Sequence, residues 1–141
     1  TWNYRLDLPG VADFVKRYQA MYPETAMRVP GNVFYNGYMS VRELLAAVER
    51  AGTTSNIAVI KALEGHKMPA KDRMQHFDAT IDADTHQVQQ TIYLATANRA
   101  PKEKDDLFDV LSHAKPEDVR DTDSAKLCKL EPYDNTPTFD A

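Results

Sequence analysis

Residues 31–52 read GNVFYNGYMSVRELLAAVERAG and predict one long helix. Asn32 is expected to cap its N-terminus and Gly52 to follow its last turn, because both residue types are favoured at those positions. Tyr35 and Asn36 lie beside the apolar stripe of this helix rather than on it. The stripe itself repeats at steps of three or four residues and is expected to face the core: Phe34, Tyr38, Val41, Leu45 and Val48.

The same spacing predicts three further helices. Residues 10–22 form the first, which Pro23 ends because proline cannot continue the hydrogen-bond ladder of a helix. Residues 55–64 form a shorter helix that Gly65 closes. Residues 102–114 are expected to return to helix late in the chain, and their apolar side is Leu107, Phe108, Val110 and Leu111.

Between these helices the pattern changes to that of a β-hairpin. Residues 73–81 and 86–96 predict two strands, and the turn formers DADTH separate them. After Lys115 periodicity is lost, and the tail is expected to be either a strap on the surface or frayed. Several helices with a single hairpin do not make a doubly wound sheet, which suggests a piece of something larger or a chain completed by association.

Composition limits the classes of function. The chain has 141 residues, of which 43% are apolar and 27% charged, enough for one globular domain with a core. Its formal net charge of −4 and the lack of a basic cluster argue against nucleic acid or an anionic membrane as the partner. No apolar stretch approaches the length of a membrane span, and no signal peptide is expected in the first residues, TWNYRLDLPG.

The sequence also lacks the short motifs of common enzymes. The single cysteine, Cys128, excludes a disulfide within the chain, and the absence of a Cys/His cluster removes structural zinc. Phosphate-binding loops, nucleophile elbows and zinc-protease signatures do not occur. These absences favour a protein without cofactor, metal or catalytic centre.

Histidines nevertheless raise an alternative hypothesis, an enzyme that uses His76 or His86 beside nearby aspartates. Catalysis by histidine needs a second group within hydrogen-bond reach, which proximity in sequence does not supply. A metal cluster could also be drawn from Asp78, Asp82, Asp84 and His86. These residues alternate through a turn without the spacing of a calcium loop or a bidentate Glu at its end, so a solvated turn is favoured over a metal site. Cys128 has no identifiable base partner, so a nucleophilic role is not favoured.

The start of the predicted long helix holds the candidates for ligand binding. Tyr35 and Asn36 bring an aromatic plane and an amide to a helix N-terminus, where free N–H groups favour a small polar or anionic ligand. Both residue types are also common on surfaces, and from the residues alone a packing or surface role is favoured. Phe34 and Tyr38 are expected to be the first core contacts of the stripe.

Three stretches, in this order, carry a family resemblance: VADFVKRYQAMYPETA, NGYMSVRELLAAVERAGTTSNIAVIKALEG and FDATIDADTHQVQQTIYLATA. Together they resemble the C-terminal portion of the type I periplasmic binding proteins of ABC transporters, in the branched-chain amino acid (Leu/Ile/Val) receptor group. The order and spacing of the stretches carry the resemblance, which covers the chain up to about Ala97.

The resemblance implies an α/β fold in which this chain is a helix-rich C-terminal fragment, with a β-hairpin, of a two-lobed receptor. Residues 1–97 would be part of the periplasmic-binding-protein-like domain, and residues 98–141 a C-terminal helix and extended tail. The long helix would begin near the cleft between the lobes. This position makes Tyr35, Asn36 and Tyr38 the candidate ligand-binding residues.

The resemblance also implies a function without chemistry. Such receptors are extracytoplasmic solute-binding components of ABC importers, and closure around the ligand presents a surface to the membrane permease. The expected ligand is a small amino acid, amide or carboxylate, with no cofactor.

The chain departs from the family pattern in two respects. It lacks the N-terminal lobe and most strands of the second lobe, so it is expected to be roughly the last third of a receptor whose exposed surface drives self-association. It also lacks the glycine often found before the hairpin, where residues 71–77 read KDRMQHF. The alternatives left open are a cytosolic ligand-sensing regulator of the same fold, a self-associating non-catalytic domain, a small hydrolase and a helical interaction module.

Overall fold

The computed structural model describes residues 2–139 and shows a mixed helix and sheet architecture, as predicted. Its helices and strands are α1 (Val11–Met21), α2 (Asn32–Ala51), α3 (Asn56–Leu63), β1 (Lys67–Met68), α4 (Ala70–Arg73), β2 (Ala79–Ile81), β3 (Val88–Gln89), β4 (Ile92–Ala97), β5 (Phe108–Ala114), α5 (Pro116–Val119), α6 (Thr122–Leu127) and a short 3-10 helix (Tyr133–Asn135). The strands form two sheets, one of order β1-β2-β3 and one of β4-β5. The predicted helices at 10–22, 31–52 and 55–64 are confirmed as α1, α2 and α3.

A glycine flanks α2 at each end. Gly31, rather than Asn32, is the N-cap, so the predicted cap was one position late. Gly52 follows the last turn at φ 65° and donates its backbone N–H to the carbonyls of Val48 and Glu49, at 2.9 and 3.3 Å. This left-handed conformation is one that glycine adopts without steric cost, which ends the helix where the sequence predicted.

The side of α2 that is buried differs from the predicted stripe. Val41 and Leu45 are 57% and 63% exposed, so the stripe is wrong at those two positions. Phe34 and Tyr38 are partly buried and pack against the edge of the core. The rotation has a physical cause, because aromatic rings from the N-terminal segment and α1 cover the neighbouring face. The buried side chains of α2 are Tyr35, Met39 and Ala47.

That aromatic cover is the centre of the main core. The Trp2 and Tyr35 rings stack with centroids 4.7 Å apart and planes 2° from parallel. Phe14 of α1 meets the edge of Trp2 at 5.6 Å and 89°. The Trp2 indole N–H donates to the Met74 carbonyl at 3.1 Å, so the polar group of this buried ring has a partner. The N-terminal segment, α1, α2 and the turn after α4 are thereby held around one cluster.

The predicted hairpin is confirmed in β2 and β3, which pair antiparallel with Thr80 opposite Gln89 and Ile81 opposite Val88. Its extent is shorter than predicted. Residues 70–73 of the approach form α4, and residues 86–96 divide between β3 and β4, which belong to different sheets. In the turn, one Asp82 carboxylate oxygen accepts the backbone N–H groups of Asp84 and Thr85 at 3.0 and 3.1 Å.

The helix predicted at residues 102–114 is wrong. Residues 108–114 form strand β5, which pairs antiparallel with β4 from Ala97 opposite Phe108 to Ile92 opposite Ala114. A bulge between Leu94 and Ala95 shifts the register within this ladder. The conformation of residues 108–114 is decided by backbone pairing with β4, a strand ten or more residues away, and the local spacing of apolar residues does not predict that pairing.

The tail, described to residue 139, is a strap rather than a frayed end. The Arg120 guanidinium pairs with the Asp82 carboxylate of the hairpin turn. The Tyr133 hydroxyl donates to Glu64 at 2.5 Å, and the Asn56 side chain bonds the backbone of residues 137 and 139. These contacts lay the tail along α3 and the β2–β3 turn.

Candidate functional site

The three residues predicted to bind ligand start from one helix but lie in three different surroundings. Tyr35 belongs to the main core and has no exposed surface. Asn36 lines a cleft between α2 and the three-stranded sheet. Tyr38 lines an open aromatic groove on another side of α2. In the structure, Asn36 and Tyr38 therefore line two different cavities, whereas Tyr35 lies in the core and lines neither of them.

Tyr35 reaches the cleft only through a neighbour. Its hydroxyl donates a 2.5 Å hydrogen bond to the backbone carbonyl of Arg73, at the end of α4. Burial raises the pKa of the Tyr35 phenol to about 12, and the nearby positive charge of Arg73 only partly offsets this effect. The phenol is therefore neutral at physiological pH and holds α4 against α2.

The cleft that Asn36 lines has a volume of about 450 Å³, within the range of small-molecule sites. Helix α2 supplies one wall, and the other walls come from the end of α3, from α4 and from the three-stranded sheet and the residue that follows it. Most of the lining is apolar, and the polar groups are few. The lining residues are Asn36, Met39, Ser40, Glu43, Leu44, Leu63, Met68, Arg73, Ile81, Val88 and Gln90.

Arg73 is the cation of this cleft, and only 4% of its surface is exposed. One terminal nitrogen donates to the Gln90 side-chain oxygen at 2.8 Å, and the other lies 3.3 Å from the Met68 sulfur. Its Nε has no hydrogen-bond partner within residues 2–139. No carboxylate of that described segment lies within ion-pair distance of the guanidinium. The residue was missed from the sequence because it was assigned to the start of a strand.

Glu43 is the anion of the cleft and lies two turns along α2 from Asn36. Its side chain is 13% exposed, and its carboxylate is 3.8 Å from His66 Nε2. The cleft therefore combines a buried cation, a largely buried anion, the side-chain amides of Asn36 and Gln90, and a broad apolar wall. Such a lining can orient a small molecule by its polar end and enclose an aliphatic body.

The groove beside Tyr38 is wider and mainly aromatic. It has a volume of about 450 Å³ and is bordered by Tyr22, Phe34 and Arg42. The Tyr38 ring packs on Phe14 at a centroid distance of 4.9 Å. A hydrogen bond with Tyr38 raises the pKa of Arg17 above its usual value, and burial opposes that shift. Arg42 and three aromatic rings therefore line this groove, Arg17 lies beside the Tyr38 ring, and the lining contains no carboxylate.

The histidines considered for catalysis or metal binding have structural partners. His76 and His113 stack with ring centroids 3.8 Å apart, and His76 Nδ1 lies 2.9 Å from the Tyr93 hydroxyl. His86 lies 3.0 Å from Glu64 in the contact with the strap. Among residues 2–139 no group of three His, Cys, Asp or Glu side chains could hold a metal ion. Cys128 is exposed.

A comparison with protein families shows which family the chain belongs to. The sequence profile described as "Periplasmic binding protein" matches residues 1–104, so the chain belongs to the periplasmic binding protein family. No curated protein and no solved structure matches the chain. Members of this family are solute-binding components of ABC transport, not enzymes; they bind small molecules outside the cytoplasm and deliver them to a permease. Within residues 2–139 no helix is both long and apolar enough to cross a membrane.

Proposed function

We propose that the chain belongs to the periplasmic solute-binding component of an ABC importer and that it binds a small amino acid, amide or carboxylate. The observation that carries this proposal is the cleft of about 450 Å³ within the family-matched segment, with a buried cation among apolar side chains. The amino acid class follows the resemblance to the Leu/Ile/Val receptor group. Residues 1–97 form the binding part in this proposal, and residues 98–141 the C-terminal extension.

Each predicted site residue has a distinct role in this proposal. Asn36 contacts the ligand from the wall of the cleft through its amide. Tyr38 offers its ring to a ligand group that reaches the aromatic groove. Tyr35 acts from behind, because its hydroxyl fixes the backbone of Arg73.

The test is a thermal-shift screen of amino acids, their amides and simple carboxylic acids on the full-length protein. A true ligand at concentration L stabilises the folded state by RT ln(1 + L/Kd), so the melting temperature rises with the logarithm of its concentration above the dissociation constant. We expect Asn36→Ala to weaken binding of the best ligand, and Asn98→Ala, in the loop between β4 and β5, to leave it unchanged. A screen in which no compound of these classes shifts the melting temperature rejects the proposal.

A self-associating, non-catalytic domain is a second candidate, supported by the exposed apolar side of α2. Val41, Leu44 and Leu45 lie on that side and are all about half exposed or more. Sedimentation of this chain at several concentrations tests it, with Leu45→Glu as the disrupting variant. A monomer at every concentration excludes this role.

A further inference from the structure

Arg73 is a buried cation that forms no ion pair with a carboxylate of residues 2–139. Arg73 is 4% exposed, and the partners of its guanidinium within residues 2–139 are the Gln90 amide oxygen, the Met68 thioether and the Tyr35 hydroxyl, all of them neutral. Moving a guanidinium out of water costs several kcal/mol unless an anion or strong acceptors replace the lost hydration. Its Nε donor lacks a partner in that same described segment.

The position of the Arg73 guanidinium indicates which ligand group would pair with it. Arg73 lines the same cleft as Asn36 and Gln90, among apolar side chains that keep the local dielectric low. A carboxylate there gains charge-assisted hydrogen bonds that are about twice as strong as neutral ones, and the planar guanidinium suits two oxygens at once. An amide of equal shape offers one acceptor and no charge.

We propose that Arg73 is the residue that recognises the ligand carboxylate, and that the cleft takes a small aliphatic monocarboxylate. This inference rests on the proposed function and narrows its three ligand classes to one. The apolar wall, which includes Met39, Leu63 and Ile81, encloses the aliphatic body.

Glu43 disfavours a second negative charge on the ligand. Its carboxylate belongs to the same cleft and is largely shielded from solvent, so a second carboxylate on the ligand meets like charge there. An amino group on the ligand instead meets favourable charge. We therefore expect dicarboxylates to bind more weakly than monocarboxylates with or without an amino group.

The first experiment compares matched ligands on the wild-type full-length protein and needs no variant to fold. Calorimetric titration with 4-methylpentanoate and 4-methylpentanamide, and with leucine and leucinamide, isolates the carboxylate in two pairs. We expect each acid to bind about 10- to 100-fold more tightly than its amide, the range for a charged hydrogen bond in a buried site. Equal affinities within both pairs overturn the assignment, and tight binding of glutarate overturns the role of Glu43.

The pair that binds more tightly tells whether the natural ligand is an amino acid or a simple acid. Tighter binding of leucine than of 4-methylpentanoate indicates that the protein also recognises the amino group.

The second experiment changes the recognising residue. We expect Arg73→Met to remove most of the acid-over-amide preference, and Arg73→Lys to retain part of it because the charge remains without the planar fork. Arg50→Met is the matched control, since Arg50 is an exposed α2 arginine that donates to the Ala62 carbonyl and lies outside the cleft. A preference that survives in Arg73→Met overturns the inference.

The two proposals fail in different ways. A carboxylate ligand that binds wild type and Arg73→Met equally leaves the receptor function intact and rejects Arg73 as its carboxylate contact. Absence of any response to all the compounds rejects the receptor function itself.

Discussion

The Tyr35 hydroxyl donates a 2.5 Å hydrogen bond to the Arg73 carbonyl and joins the start of α2 to the end of α4. Both residues are buried, and the Trp2 ring stacks on the Tyr35 ring. The arginine that lines the cleft is thus fixed through its backbone by the aromatic core. Stability of the core and geometry of the cleft are coupled at this bond.

Removal of that hydroxyl should therefore affect both properties. We expect Tyr35→Phe to lower the free energy of unfolding by about 1–3 kcal/mol, because the buried carbonyl of Arg73 loses this donor. Urea denaturation measures the change, and Tyr22→Phe, at a tyrosine that is 42% exposed, is the control. Unchanged stability together with weakened ligand binding would instead indicate that Tyr35 contacts the ligand directly.

In an alkaline titration, Tyr35 and Tyr93 should lose their hydroxyl protons at unusually high pH. Burial raises the pKa of both Tyr35 and Tyr93 to about 12. Because each folded pKa lies above the unfolded value of about 10, the folded state is favoured below pH 10 and loses this stabilisation as the pH rises towards 12. Absorbance of phenolate should show Tyr35 and Tyr93 ionising late, and Tyr35→Phe should remove one of these two late ionisations. The absence of any tyrosine that ionises near pH 12 would contradict the burial of these two rings.

Two glycines should respond in opposite directions to alanine. Gly10 precedes α1 at φ 86°, and an added Cβ would lie 3.2 Å from the Met74 side chain. We expect Gly10→Ala to destabilise the protein by about 1 kcal/mol or more. Gly37 lies inside α2 and has nothing within 4 Å of its added Cβ, so Gly37→Ala should stabilise by about 0.5–1 kcal/mol. Melting temperatures of the two variants test the pair, and a shift of the same sign in both would be inconsistent with it.

The strap should loosen in acid. The Tyr133 hydroxyl and, to a lesser degree, His86 hold the pKa of Glu64 below its ordinary value. A carboxyl with a depressed folded pKa stabilises the folded state above its unfolded pKa of about 4.3, and this contribution is lost as the pH falls through the folded value. Hydrogen exchange of residues 129–139, corrected for intrinsic rate, measures the loosening.

Variants distinguish this carboxyl from the other anchors of the strap. We expect Tyr133→Phe to increase exchange at neutral pH and to match wild type once Glu64 is protonated. Asn56→Ala should increase exchange equally at both pH values, because its bonds to the tail involve no titrating group. Equal exchange of wild type and Tyr133→Phe at neutral pH would show that this contact does not hold the tail.

Local signals were sufficient for part of the fold. Pro23, Gly52 and Gly65 act on the backbone next to them, so the ends of the first three helices could be predicted without knowledge of their neighbours. The β2–β3 hairpin was predictable for the same reason, because its turn formers, which include Asp82, lie between the strands they join.

Long-range contacts account for the predictions that were wrong. The first turns of α2 carry apolar or aromatic residues on several sides, so periodicity alone could not show that Trp2 would cover Tyr35 rather than Leu45. The spacing of Phe108 and Leu111 fits a helix as well as a strand, and only pairing with β4 decides between them. Asn36 was predicted from its place on α2, whereas Arg73 reaches the same cleft through tertiary structure.

The protein carries its own optical probe of the cleft. Trp2 is the only tryptophan in these 141 residues, and its ring stacks on the tyrosine whose hydroxyl bonds the Arg73 carbonyl. Any shift of Arg73 changes the environment of a single emitter that is two contacts away. Ligand uptake should therefore alter the intrinsic fluorescence of the unlabelled protein, and the time course of that emission would give the association rate directly.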